Sequence, residues 1–282
     1  EIQIRGFKVR LPLDIQFIFT SNPEDYTNRG TIVTPLKDRV GSQILTHYPE
    51  SIEIAKKITK QESKIDIKLS SKIHIPEVAR DIIEQISFEA RESDLVDRKS
   101  GVSARMSITS LQNLVSSAER RMIINKEEST SIRMSDFSSV ISSINGKVEL
   151  VYEGEEEGAE QVSYNLISSA VKSIFNKYFP RIEKLTKPDE ITPYDPILNW
   201  FSNKQLVIND NLKNKDYENI LNEVIDARKL IKKYIPELND DDELFYVEFI
   251  LWGLESYNKL SILRTNNGIE YKDPFNNFIN KI

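Results

Sequence analysis

Apolar and polar residues alternate with a period of two at the start of the chain. The alternation runs over 2–4 and again over 7–11, on either side of Gly6, and it predicts a β-hairpin. Residues 14–20 (DIQFIFT) then form a nearly continuous apolar run, which is typical of a strand covered on both faces in an α/β sheet. Residues 41–48 offer one more strand. Together these segments predict the last strands of a larger sheet.

From Pro49 onward, the spacing of apolar residues changes to that of helices. Apolar residues recur every three or four positions, as expected for helices with one buried face. The segments with this spacing are 52–58, 78–86, 111–118, 166–175, 217–234 and 243–260. Between them, residues 153–160 (EGEEEGAE) form an acidic run that cannot bury itself, so we predict a solvated loop and a domain boundary there.

These patterns predict three consecutive regions. Residues 1–48 form the end of an α/β domain, residues 49–150 form a helical module, and residues 151–282 form an acidic linker followed by a helical domain of unassigned role. The predicted fold class is therefore an α/β remnant followed by helical domains.

Composition narrows the class of protein. With 39% hydrophobic and 29% charged residues, the chain belongs with folded globular proteins. The absence of cysteine excludes disulfides and thiolate sites, and it is compatible with a cytoplasmic location. A net charge of -6 argues against a nucleic-acid partner. No apolar run approaches the roughly 18 residues of a membrane span, so we expect none.

Three motifs carry candidate chemistry. Asn22 follows the apolar run in SNPED, at the end of a strand, where open sheets place ligand-contacting groups. Arg39 lies in LKDR and Arg105 in GVSAR, and a guanidinium can contact phosphoryl oxygens. Each also has an ordinary structural interpretation: Asn-Pro is a common turn, and a surface arginine commonly pairs with a nearby carboxylate such as Asp38. His47 and His74 lack metal-site spacing, and we predict structural roles for both.

The order of these elements resembles a known family. Hairpin, apolar strand, SNPED, LKDR, helical module and GVSAR are similar to the second half of the AAA+ module in the MoxR and magnesium-chelatase subunit I group. The resemblance covers 1–144, about half of the chain. It implies an α/β remnant of an AAA+ core, a helical AAA+ lid, and a cytoplasmic protein that binds ATP and Mg²⁺.

The resemblance also implies roles for three residues. Asn22 would be the sensor-1 residue, Arg39 the arginine finger acting in trans, and Arg105 the sensor-2 arginine that contacts the nucleotide. Members of this group form homo-oligomeric rings, commonly hexamers, which remodel a protein partner or assist metal insertion. We therefore expect a ring assembly and a protein partner or substrate.

The sequence departs from the family pattern in two motifs. It has no GxxxxGK[ST] segment to cradle phosphates, and no apolar strand ending in Asp-Glu to hold Mg²⁺. We expect ATP hydrolysis from the intact protein but not from this chain alone, and no metal ligands within it. The alternative is a non-enzymatic helical interaction module derived from an AAA+ ancestor.

Overall fold

The computed structural model describes residues 2–9, 14–20, 35, 38–98, 100–182, 191–265 and 268–274. The chain divides into two compact units, Glu1–His47 and Tyr48–Ile282. Apart from the hairpin, the secondary structure given below belongs to the second unit.

Most of the second unit is helical. Its helices are α1 (Ile52–Glu62), α2 (Ile67–Ser70), α3 (Glu77–Glu92), α4 (Arg105–Asn125), α5 (Ile141–Asn145), α6 (Tyr152–Glu157), α7 (Ala159–Tyr178), α8 (Asp195–Phe201), α9 (Asn214–Leu221), α10 (Ile225–Tyr234) and α11 (Glu243–Ser256), with 3₁₀ helices at Met134–Val140 and Asp240–Asp242. The strands among the described residues are β1 (Ile2–Ile4), β2 (Phe7–Val9), β3 (Ile73–His74), β4 (Thr130–Ser131), β5 (Leu206–Asn209), β6 (Ser261–Thr265) and β7 (Gly268–Lys272).

The predicted hairpin is confirmed. Strands β1 and β2 pair antiparallel, with Ile4 opposite Phe7. Arg5 and Gly6 connect them, with φ of 50° and 87°. Two consecutive positive φ values match the right-handed twist of a two-residue hairpin turn, and the glycine adopts such a value without a steric penalty.

The two other segments predicted as strands in the first unit have no strand pairing among the described residues. Residues 14–20 and 42–47 belong to no helix or strand. Phe17 is 73% exposed and Ile18 84% exposed, and these adjacent side chains cannot both lie on one face of a strand. A strand of this composition needs neighbours on both edges and cover on both faces, which the described part of this unit does not provide.

A stack of helices forms the core of the second unit. Helix α7 packs against α3 on one side and against α11 on another. Fully buried side chains line these contacts, including Ile82, Ile86, Ala170, Phe175 and Phe249. The helical spacing predicted for 78–86, 111–118 and 166–175 is confirmed. The core is continuous through residues on both sides of position 150.

The acidic run 153–160 differs from the predicted loop. Its residues belong to α6 and to the first turn of α7, separated by Gly158 with φ of 95°. The glutamates are exposed, but Gly154 is buried, and a Cβ there would lie 2.5 Å from the carbonyl oxygen of Leu95. A single small residue therefore lets an otherwise solvated helix pack against the preceding chain.

The C-terminal region contains a small sheet that the sequence analysis did not predict. Strand β7 lies between β5 and β6, antiparallel to both. Tyr271, its fourth residue, is fully buried, opposite Leu206 on one side and Ile262 on the other. The helices of the predicted helical C-terminal domain are present, and this small sheet accompanies them.

Candidate functional site

The three predicted site residues differ in what the structure describes of them. Asn22 lies outside the described residues. Arg39 is exposed in the first unit, and Arg105 is exposed in the second. Among the three, Arg105 is the residue that lies at the start of a described helix and has described hydrogen-bonding neighbours.

Arg105 is the first residue of α4, a helix of 21 residues. The Ser103 hydroxyl accepts a hydrogen bond from the Arg105 N–H at 3.3 Å, and the Ser103 carbonyl accepts one from the Met106 N–H at 2.9 Å. The first turn of α4 holds no acidic residue. Since the amino end of a helix carries partial positive charge, Arg105 adds a full charge where an anion is already favoured.

The guanidinium of Arg105 has no ion-pair partner within the described ranges. Nearby Arg98 differs, because its guanidinium lies 2.9 Å from Asp94. An arginine without a carboxylate partner keeps its charge available to a ligand. Arg105 therefore has the exposure and the charge that a phosphate-contacting residue needs.

A small cavity, lined by both apolar and polar side chains, lies beside the loop that precedes α4. Its volume is about 40 Å³, the size of a site for ordered water. Its walls come from the start of the second unit, from helices α1, α3 and α4, and from the loop. The polar side chains that line it are those of Tyr48, Thr59, Glu84, Ser87, Arg91, Ser103 and Ser107.

Glu84 supplies the carboxyl group that lines this cavity. It is 3% exposed, and burial raises its pKa above the ordinary value, although hydrogen bonds with Thr59 and Ser107 act in the opposite direction. The hydroxyls of Ser87 and Ser107 lie 2.7 Å apart and join α3 to α4. This arrangement holds the first two turns of α4 against α3 by hydrogen bonds.

Tyr48 joins the beginning of the second unit to the GVSAR loop. Its hydroxyl accepts a hydrogen bond from the Val102 N–H at 3.0 Å. The Arg91 guanidinium lies over the Tyr48 ring, 4.5 Å from its centroid, and donates from Nε to the Ser87 carbonyl at 2.9 Å. The ring is therefore held in place on one face while its hydroxyl holds the loop.

Gly101 permits the close approach of Tyr48 to the loop. Its φ of 72° is one that side chains rarely adopt, and a Cβ at this position would lie 2.9 Å from the Tyr48 hydroxyl. The sequence analysis named the GVSAR motif for its arginine alone. Neither Tyr48 nor Glu84 was identified, because the contacts that define them join residues 23 to 54 positions apart in the sequence.

A second group of buried polar residues lies at the other end of α4. Arg121 and Asp136 form an ion pair and are 1% and 3% exposed. Asp136 also accepts hydrogen bonds from the Ser117 hydroxyl at 3.0 Å and from the Arg133 N–H at 2.8 Å. Arg121 donates to the Ser131 carbonyl at 2.7 Å. This ion pair connects α4 to the 3₁₀ helix Met134–Val140.

Glu248 extends this polar core into the C-terminal half of the chain. Its carboxyl group is fully buried and accepts hydrogen bonds from the Tyr217 hydroxyl at 2.7 Å, the Tyr271 hydroxyl at 3.0 Å and the Met134 N–H at 3.0 Å. Burial raises the pKa of Glu248, which outweighs the opposite effect of these donors and of Arg133. These contacts hold helices and sheet together, so their role is structural.

A larger cavity of about 210 Å³ lies beside Pro180, Tyr194 and Leu254. Residues 183–190, which lie in the sequence between the lining residues Ile182 and Ile191, are outside the described residues. We assign no ligand to it.

No protein-family description, curated protein or solved structure matches the chain. Within the described ranges, no group of three or more His, Cys, Asp or Glu side chains is placed to hold a metal ion. No helix in the same ranges has the length and apolar composition needed to cross a membrane.

Proposed function

We propose that the chain is part of an ATP-binding and ATP-hydrolysing AAA+ ring machine, similar to the MoxR and magnesium-chelatase subunit I group, that remodels a protein partner or assists metal insertion. The observation that carries this proposal is Arg105. It is exposed and unpaired among the described residues, at the positive end of a long helix, and it lies in the motif that the resemblance relates to sensor 2.

In this proposal Arg105 contacts phosphate from the helical lid, and Arg39 reaches the nucleotide of a neighbouring subunit. Both guanidinium groups would stabilise charge on phosphoryl oxygens, while Asn22 would orient the attacking water. Bound Mg²⁺ would neutralise phosphate charge. The residues that grip the terminal phosphates are not found in this sequence, so hydrolysis is proposed for the full-length protein.

The first unit gives independent support. Residues 14–20 expose apolar side chains, including Phe17 and Phe19, whose ring centroids lie 6.1 Å apart in a stacked arrangement. Apolar segments of this kind are stable in water when a sheet and its covering helices bury them. An AAA+ core contains such a sheet, and a helical interaction module would have no need for the segment.

We expect two substitutions to separate the proposed roles. In the full-length protein, Arg39→Ala should lower kcat for ATP hydrolysis by about tenfold, because it removes charge stabilisation from the transition state. Arg105→Ala should raise KM for MgATP by about tenfold, because it removes a contact with bound nucleotide. Steady-state ATP hydrolysis measures both effects.

Arg98→Ala is the matched control for this experiment. Arg98 is 64% exposed at its side chain and pairs with Asp94, so its removal should leave both constants unchanged. Wild-type constants in both test variants would overturn the assigned roles. Absence of ATP hydrolysis by the wild-type full-length protein would instead favour the interaction-module alternative.

A further inference from the structure

We propose that Tyr48 is a positioning residue for Arg105, acting through the loop 101–104. The proposal rests on the proposed function, in which Arg105 contacts the nucleotide. It adds a residue outside the three motifs and assigns a specific task to its hydroxyl group.

The loop 101–104 is held at Val102 by the Tyr48 hydroxyl. Val102 is 3% exposed, and its N–H donates to the Tyr48 hydroxyl across 54 positions of the chain. Ser103 follows and receives hydrogen bonds from the backbone of the first turn of α4. The Tyr48 hydroxyl therefore holds the backbone at Val102, three residues before Arg105. The proposal requires the Arg105 guanidinium to point toward the nucleotide.

The phenol ring of Tyr48 is held in a fixed position by Arg91. The Arg91 guanidinium lies over the Tyr48 ring and also over the Phe88 ring, 4.5 Å and 4.4 Å from their centroids. Its Nε is also bonded to the Ser87 carbonyl of α3. A stacked guanidinium that is bonded to its own helix holds the ring in one orientation, so the hydroxyl is a rigid acceptor.

The backbone at Gly101 approaches the Tyr48 hydroxyl closely. The positive φ of Gly101 turns the backbone so that the next N–H meets the phenol oxygen, and the missing Cβ leaves the room this contact needs. Tyr48 is also the first residue of the second unit. A displacement of the chain at this point would therefore move the acceptor that holds the loop and, with it, the start of α4.

Tyr48→Phe in the full-length protein tests the inference. The ring and its stacking on Arg91 remain, while the acceptor for the Val102 N–H is lost. We expect KM for MgATP to rise roughly fivefold, the size of effect that one lost hydrogen bond produces, with kcat unchanged. Binding of a fluorescent ATP analogue should weaken by the same factor.

The double variant with Arg105→Ala distinguishes positioning from a general structural role. If Tyr48 acts through Arg105, Tyr48→Phe should have no further effect on KM once Arg105 is alanine, because the two changes remove the same contact. Equal effects of Tyr48→Phe with and without Arg105 would overturn the inference.

Two further outcomes separate this inference from the proposed function. If Arg105→Ala raises KM and Tyr48→Phe does not, the positioning role fails while the proposed function stands. If Arg105→Ala leaves KM unchanged, the proposed function fails first. Tyr257→Phe is the matched control, since it removes a tyrosine hydroxyl that contacts Asn176 far along the chain from the GVSAR loop, and it should leave KM unchanged.

Discussion

Replacing Asp136 with alanine is expected to lower the free energy of unfolding by about 3–5 kcal/mol, the cost of breaking a buried ion pair on one side. Arg121 and Arg133 are 1% and 2% exposed. The Asp136 carboxylate forms an ion pair with Arg121 and attracts the charge of Arg133 electrostatically. The substitution would leave the Arg121 charge buried without its partner, and the Arg133 N–H and Ser117 hydroxyl without an acceptor. Urea unfolding followed by circular dichroism measures the change.

The double variant Arg121→Met, Asp136→Leu is the control for charge. It removes both members of the pair and replaces them with apolar groups, so it should recover the part of the lost stability that comes from the unpaired Arg121 charge, while the Arg133 N–H and the Ser117 hydroxyl still lack their acceptor. A loss below about 1 kcal/mol in Asp136→Ala would contradict the assigned burial of this pair. Because whole domains are stable by about 5–15 kcal/mol, the expected loss is a large fraction of the total.

Glu248→Gln is expected to remove a pH dependence from stability. Burial raises the pKa of Glu248 above its ordinary value of 4.5, so the folded protein keeps a proton that the unfolded chain releases as pH rises past 4.5. Wild-type stability should therefore fall relative to Glu248→Gln above pH 4.5, by up to about 1.4 kcal/mol per pH unit, until the folded carboxyl itself ionises. Below that window the difference should be constant. Urea unfolding between pH 4 and pH 8 measures it.

Glu218→Gln serves as the control for the loss of one carboxylate. Glu218 is exposed on α9, close in sequence to Tyr217 but outside the polar core, so we expect a pH profile parallel to the wild type. If stability of the wild type rose relative to Glu248→Gln over the same window, the direction assigned to the Glu248 pKa would be wrong.

Local pattern was sufficient to predict the hairpin and the main helices. The alternation around Gly6 matches the paired strands of the hairpin. The helical spacing of Ile82, Ile86, Leu111 and Leu114 reflects one helix face turned to a core, and the structure buries those four side chains. These predictions succeeded because neighbours along the chain determine them.

The C-terminal sheet and the cavity residue Tyr48 were not predicted, because they depend on contacts between residues far apart in the sequence. Strand β5 pairs with β7 across about 60 residues, as in Leu206 opposite Tyr271, and its four residues are too short a pattern to stand out. The acceptor role of Tyr48 likewise exists only when Val102 is placed beside it. Arg39 and Arg105 were found because their motifs occur in a recognisable order, and their roles stay predictions.

Mixing the Arg39→Ala and Arg105→Ala variants, each impaired in ATP hydrolysis, tests the central claim most directly. In a ring, an Arg39→Ala subunit lacks the finger it offers to its neighbour, and an Arg105→Ala subunit lacks its own nucleotide contact. If Arg39 acts in trans and Arg105 in cis, mixed full-length assemblies contain interfaces with both arginines intact, so ATP hydrolysis should exceed the mean of the two separate variants. Activity equal to that mean would contradict a shared, ring-dependent ATP site.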